Sequence, residues 1–270
     1  MSALFAAMKA VGIAGGLWAC YGVAPTCYYK YVRKKPKLAS RMEEAADAPA
    51  FGAPARRLAL TFDDGPDPRY TPRLLDDLAK ENVKAIFFVL TPKARAHPEL
   101  IRRMLDEGHL VGFHGLSHRG LWGKGLRGTA KNFLIGLDGL RQAGCANVRY
   151  FRPPYGNLNL FALRYLKRVG LELMLWDVMV QDWRADTTPA LLVKKLKERV
   201  RDGSVICLHD SGEGSAAPGA PERMMEALRS FIPEMKAAGW RFVLPADAKK
   251  NAEKEKDAWA PSLKTAKKTC

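Results

Sequence analysis

Two periods of apolar spacing alternate through the middle of the chain. At 58–62, Leu58, Leu60 and Phe62 alternate with Ala59 and Thr61, the pattern of a short strand with a buried face. Apolar runs of strand length recur at 85–90, 110–113, 149–151, 171–176, 205–208 and 241–244. Between them the spacing turns helical over 71–81, with Pro72 in its first turn, and over 99–107, 129–143, 160–169, 189–201 and 221–238. Such alternation predicts an α/β fold with a parallel sheet and crossover helices. Because several strands are continuously apolar, both faces of the sheet must be covered, which favours a closed or nearly closed barrel. No internal repeat is visible.

Outside this region the pattern changes. Residues 3–26 are apolar or small, broken only by Lys9, and have the length of a bilayer span, although their Gly and Ala content makes the span weak. Tyr28, Tyr29 and Tyr31 follow with Lys30, Arg33, Lys34 and Lys35, aromatic and basic residues of the kind that mark a membrane boundary. The expected organisation is a membrane anchor over 1–30, a basic, Ala/Pro-rich linker over 31–55, a folded domain over 56–247 and a disordered basic tail over 248–270. A retained anchor is favoured over a cleaved signal, since no Ala-x-Ala site follows the apolar run.

Charge sharpens this picture. The 270-residue chain carries a formal net charge of +16, much of it near the two ends. Such runs favour an anionic lipid surface, nucleic acid or a polyanionic glycan. No nucleic-acid recognition motif is present and the charge flanks an anchor, so an anionic membrane surface is expected as partner and nucleic acid is not. The heavier basic flank would place the domain in the cytoplasm, whereas the chemistry below favours the cell envelope. The five cysteines are scattered, odd in number and without Cys-x-x-Cys spacing, so neither a disulfide framework nor a structural zinc knuckle is expected. A monomer is expected.

The reactive groups fall at strand ends. In parallel β/α architectures the loops after the strands share one face, and that face carries the chemistry. Asp63-Asp64 ends the first strand, His114 to His118 follows the third, Arg152 to Tyr155 the fourth, Asp182-Trp183 the fifth and His209-Asp210 the sixth. His114 and His118 are four apart, so on a helical turn they share a face and can grip one ion. With one aspartate of the pair they form a two-imidazole, one-carboxylate set that leaves positions open, as in catalytic zinc or non-haem iron sites. The other aspartate is then free to act as a base on water. His209 is placed to act as an acid, Asp182 to raise its pKa and Arg152 to pair with the base. Tyr155 and Trp183 are flat surfaces on which a sugar can stack, and core packing is the competing role for Trp183.

The motifs Thr61-Phe62-Asp63-Asp64-Gly65-Pro66, His114-x-x-x-His118, Arg152-Pro153-Pro154-Tyr155-Gly156, Asp182-Trp183 and Leu208-His209-Asp210 stand in this order along the chain. Over 57–244 the sequence resembles the polysaccharide deacetylase family with the NodB homology domain, carbohydrate esterase family 4. The resemblance implies a distorted (β/α) barrel of seven to eight parallel strands and a divalent metal ion, usually zinc, held by Asp64, His114 and His118. It implies Asp63 as general base, His209 as general acid, Arg152 as the tether of the base and Asp182 as the group that tunes the acid. The Tyr155 amide would help hold the oxyanion. Two positions depart from the family. Cys207 stands where a leucine often lines the acetyl pocket, and Gly115 where Ser or Thr is common.

The resulting expectation is a metal-dependent hydrolase that removes N-acetyl groups from N-acetylhexosamine units of a glycan: peptidoglycan, an exported polysaccharide or a lipid-linked sugar. Its rivals are an O-acetyl polysaccharide esterase, a small-amide hydrolase, and a catalytically silent, membrane-tethered glycan-binding module.

Overall fold

The structure, a computed structural model, describes residues 13, 15–32, 56–212 and 216–245. Its centre is β1 (Arg56–Asp63). Six of the eight residues of β1 are buried, including Ala59 and Thr61, which alternate with the apolar positions. The reason is that both faces are covered. Leu58, Leu60 and Phe62 pack in the main core beneath the helices, while Thr61 and Asp63 point the other way, into the barrel, where Arg152 meets them.

Among the described residues the sheet has eight strands, all paired in parallel. Their order is β5 (Glu172–Leu173), β4 (Tyr150–Phe151), β3 (Leu110–Gly115), β2 (Ile86–Leu90), β1, β7 (Ser204–His209) and β6 (Val178–Met179). Leu58 pairs with both Ser204 of β7 and Phe242 of β8 (Trp240–Phe242). Thus β8 takes the side of β1 that β2 occupies from Thr61 onward. A smaller cluster of Ile86, Phe88, Tyr150 and Met174 fills the barrel interior.

The predicted strand at 171–176 is divided in two. Only Glu172 and Leu173 pair with β4, and Val178 and Met179 pair with β7 at the opposite end of the sheet order. The physical cause is Arg152: its Nε donates to Met174 O at 3.1 Å and its Nη2 to Leu175 O at 3.3 Å. Two carbonyls that would have continued the ladder are turned inward to the guanidinium. Residues 174–177 therefore carry the chain from one edge of the sheet to the other, and the seam is bridged covalently. This extra strand, β6, was not foreseen.

The helices follow their local signals. Pro72 lies in the first turn of the helix Thr71–Lys80. Asn159 caps Leu160–Val169 by accepting from Ala162 N at 2.8 Å, and Gly170 ends that helix with φ 73°. Thr188 caps Pro189–Arg199, accepting from Leu191 N at 3.2 Å. Leu126–Gln142 begins three residues earlier than the pattern suggested, and a short helix, Thr91–Ala96, precedes Pro98–Asp106.

The described part of the expected anchor lies against the domain. Residues 15–32 are helical, with π-helical stretches at Ala19–Val23 and Tyr28–Val32. The Trp18 ring meets Trp122 edge-on at 6.3 Å and Tyr21 meets Phe161 at 5.2 Å. Buried Thr26 accepts from Trp122 Nε1 and Leu158 N, both at 2.8 Å. Among the described residues no helix is long and apolar enough to cross a membrane. The transmembrane-helix expectation thus finds no support among the described residues. Residues 1–12, the linker from 33 to 55 and the tail at 248–270 lie outside the described residues. Cys20 and Cys27 are exposed, and Cys145 and Cys207 are buried.

Candidate active site

The C-terminal ends of β1, β3, β4 and β7, with the loop after β6, bring together every residue singled out in the sequence. Asp64, directly after β1, adopts φ 76°, a left-handed conformation that a non-glycine residue holds only when its surroundings impose it. The next residue explains part of that constraint. A Cβ on Gly65 would lie 2.3 Å from either carboxylate oxygen of Asp210. Asp210 is itself pinned by Thr71 Oγ1 at 2.6 Å, and burial pushes its pKa up to about 7. The tight turn therefore aims Asp64 back across the rim.

There Asp64 Oδ1 is approached by His114 Nε2 at 3.2 Å and His118 Nε2 at 3.1 Å. Asp64 Oδ1 is buried and makes no hydrogen bond among the described residues. The three donor atoms, which all lie within 4.8 Å of one another, converge on a shared point. His114 Nδ1 lies 2.8 Å from Arg152 O, which as a carbonyl can only accept, so the proton sits on Nδ1 and the Nε2 lone pair faces Asp64. Burial pushes the His118 pKa down, favouring its neutral form. Burial opposes charge on Asp64, yet the positive charge of His209 counteracts it and helps hold the carboxyl below the usual range. An anionic oxygen lacking a hydrogen bond beside two inward lone pairs fits a divalent cation. The histidines do not share a helical turn, as their spacing had suggested. His114 is in β3, and Gly115, at φ 128°, turns the chain so that His118 folds back.

Beside this set is the second aspartate. Asp63 is buried, and its Oδ1 accepts from Arg152 Nη1 at 2.7 Å. The guanidinium is wholly buried and committed to four further contacts: Thr61 Oγ1 at 2.6 Å, the carbonyls of Met174 and Leu175, and the Phe88 ring 4.0 Å beneath it. Asp63 Oδ2 meets Cys207 Sγ at 3.4 Å. Burial, followed by the charge of Asp63, keeps the Cys207 thiol protonated, so it donates to the carboxylate, and only weakly. Cys207 thus lies against Asp63, inside the barrel.

On the far side His209 Nδ1 lies 3.0 Å from Asp182 Oδ1, and its backbone N–H donates to Asp182 Oδ2 at 2.8 Å. Burial opposes the imidazolium, but Asp182, with Asp64 and Asp63 adding to it, lifts the pKa to about 9. The Trp183 ring stands edge-on to His209 at 5.0 Å and is half-buried. Tyr155 is 57% exposed, with its ring 4.6 Å from that of His118. It too has a left-handed backbone, φ 58° and ψ 7°, which costs a non-glycine residue about 1–2 kcal/mol.

The sequence reading missed Thr61, Phe88 and the Met174 and Leu175 carbonyls, all partners of Arg152. Only Thr61 carried a signal, as a polar residue on the inward face of an otherwise apolar strand.

A donor set open on one side, with a carboxylate and a charged imidazole flanking it, is the equipment of a hydrolase. Comparison with known proteins narrows the class. Residues 52–174 match the polysaccharide deacetylase family. A peptidoglycan-N-acetylglucosamine deacetylase of Bacillus cereus is 34% identical over 198 residues, covering 72% of this chain and 69% of the relative. A chitooligosaccharide deacetylase of Sinorhizobium fredii is 40% identical over 164 residues, covering 60% and 75%. The crystal structure of the Bc1960 peptidoglycan N-acetylglucosamine deacetylase superposes with a TM-score of 0.63 at 32% identity, covering 69% of this chain and 85% of that one. The chain belongs to the polysaccharide deacetylase family. The family match ends before Asp182, Cys207 and His209, so their placement rests on the contacts described above.

Proposed function

We propose that this protein removes the N-acetyl group from N-acetylhexosamine units of a glycan, with the named relatives pointing to peptidoglycan or chitin-like oligomers. The observation that carries this reading is the pairing of opposite partners on the two sides of one donor set. Asp63 is held by a cation, Arg152, and His209 by an anion, Asp182. An acyl-transfer step needs a base on one side of the carbonyl and an acid on the other.

Asp64, His114 and His118 would hold a divalent cation, zinc by preference of the ligand types. When bound, it supplies Lewis acidity toward a carbonyl oxygen and a water. Asp63 uses Oδ2 to take the proton of the attacking water. Its Oδ1 is committed to Arg152, and the weak S–H donor at Oδ2 leaves that oxygen basic. The Tyr155 N–H stabilises negative charge as it develops on the acetyl oxygen. His209 Nε2 protonates the departing amine, while Asp182 keeps the proton on Nδ1 and the ring in line. The exposed Tyr155 ring and the half-buried Trp183 flank the site as sugar-stacking surfaces.

The test is acetate release, followed by mass spectrometry, from N-acetylglucosamine oligomers, peptidoglycan fragments and O-acetylated xylan, each with and without chelator. Release from the N-acetylated substrates, abolished by chelation and restored by zinc, is expected. Release confined to the O-acetylated substrate would sink the amidase reading in favour of an esterase.

The acid also sets a pH signature. A pKa raised to about 9 keeps His209 protonated below that pH; the stability this adds is complete below the ordinary value of 6.5 and is lost as pH rises from there through about 9. A cation on Asp64 cancels part of that rise, so the alkaline limb of kcat in the loaded enzyme lies below about 9. Asp182→Asn removes the largest raising influence. Its kcat–pH profile should show the alkaline limb displaced downward by about one unit or more; an unmoved limb would assign that limb to another group.

A further inference from the structure

We propose that Lys30, carried on the N-terminal helical segment, is a positioning residue of the active site that holds the Tyr155–Gly156 peptide in its left-handed turn. The proposal rests on the reading above, in which the Tyr155 residue faces the reacting carbonyl.

Lys30 Nζ donates to Tyr155 O at 2.8 Å across 125 residues of sequence and sits 5.8 Å over the Trp176 ring. The fit is close. A Cβ on Gly156 would come within 2.6 Å of Lys30 Cε and 3.2 Å of Trp176, so the glycine leaves room for the lysine to cross the turn. The delivery is built as well. Gly22, Pro25 and Thr26 are buried, and Thr26 locks the segment to Leu158, three residues beyond Tyr155, and to Trp122. The segment resumes π-helical geometry at Tyr28–Val32, the stretch that presents Lys30. It also lies outside residues 52–174, the part that matches the family.

The Tyr155 conformation is unfavourable for a residue with a side chain, and the Tyr155–Gly156 peptide is pinned at both ends, by Gly156 N–H donating to Pro153 O at 2.8 Å and by Lys30 at the carbonyl. A charge-assisted hydrogen bond to that carbonyl fixes ψ of Tyr155. Fixing ψ in turn steadies the backbone at Tyr155, whose ring lies 4.6 Å from that of His118. Lys30 touches no reacting atom. Its effect reaches the chemistry through one peptide, so it should appear in kcat and hardly in KM.

The experiment uses the full-length chain loaded with zinc, with kcat and KM measured on N-acetylglucosamine oligomers for wild type, Lys30→Met and Lys30→Arg. Lys30→Met should lower kcat about tenfold with KM changed less than about twofold, the size typical of removing an outer partner of a catalytic group. Its zinc stoichiometry should equal wild type, since no ligand is touched. Lys30→Arg, which can donate to the same carbonyl, should recover most of the loss. Wild-type kcat in Lys30→Met overturns the proposal, and so does a loss that Lys30→Arg shares in full. A wild-type protein that releases no acetate from any substrate would instead overturn the functional reading.

Discussion

Asp63→Asn should lower kcat about 10²–10⁴-fold, the range by which a positioned general base accelerates a reaction, while zinc remains bound at wild-type stoichiometry. The amide keeps an oxygen for Arg152 to bond but cannot take a proton from water. Asp64, His114 and His118 are untouched, since Asp63 Oδ1 and Oδ2 are engaged by Arg152 and Cys207 and not by the histidines. Steady-state kinetics alongside metal analysis of the purified variant checks both halves. Normal turnover would move the base elsewhere on the rim. Loss of the metal together with activity would place Asp63 among the ligands.

Arg152→Met should destabilise the fold more than any other change at the site. The guanidinium is fully buried, bonds Asp63 and Thr61, and accounts for the two inward carbonyls where the barrel seam is bridged. Removing one member of a buried ion pair costs about 3–5 kcal/mol, because the other is left charged without a partner. In a domain of this size that lowers the melting temperature by roughly 6–20 °C. Turnover should vanish too, since Asp63 loses the donor that orients its carboxylate. The double variant Arg152→Met/Asp63→Asn separates the causes. It should recover part of the lost stability, measured by thermal unfolding, and none of the activity. If the double variant is as unstable as the sum of the two single ones, the Asp63 charge is not the source.

Cys207, a departure from the family, lies against Asp63. At the position of a common leucine it keeps the apolar wall, because the thiol is protonated, and adds a weak donor against the base.

Much of the site was legible because its residues sit where strands end. The strand run 58–62, stopped by Asp63-Asp64-Gly65-Pro66, put two carboxylates at a rim, and the loops after β3, β4 and β7 added theirs. Less legible was anything set by contact across the barrel. That β6 is a separate strand depends on an arginine two elements away turning the Met174 and Leu175 carbonyls inward. The His114–His118 spacing suggested a helix, but the chain turns there at Gly115, and nothing in a four-residue interval distinguishes the two. The apolar N-terminal run suggested a membrane; whether a small, apolar helix faces lipid or a neighbouring domain depends on what lies opposite it. Residues 15–32 meet Trp122, Leu158 and Phe161 with one side, while Leu17 on the same segment stays exposed.

The order of residues by itself determined the alternation of strands and helices, the side of the barrel that carries chemistry, and the types of group collected there. These follow from local periodicity and from the rule that parallel strands share a direction. Which oxygen is left without a hydrogen bond, which imidazole keeps a proton and which helix lends its lysine were decided only by the tertiary structure. Those properties arise between residues such as Arg152 and Thr61, 91 apart, or Lys30 and Tyr155, 125 apart, whose distance in space no local pattern encodes.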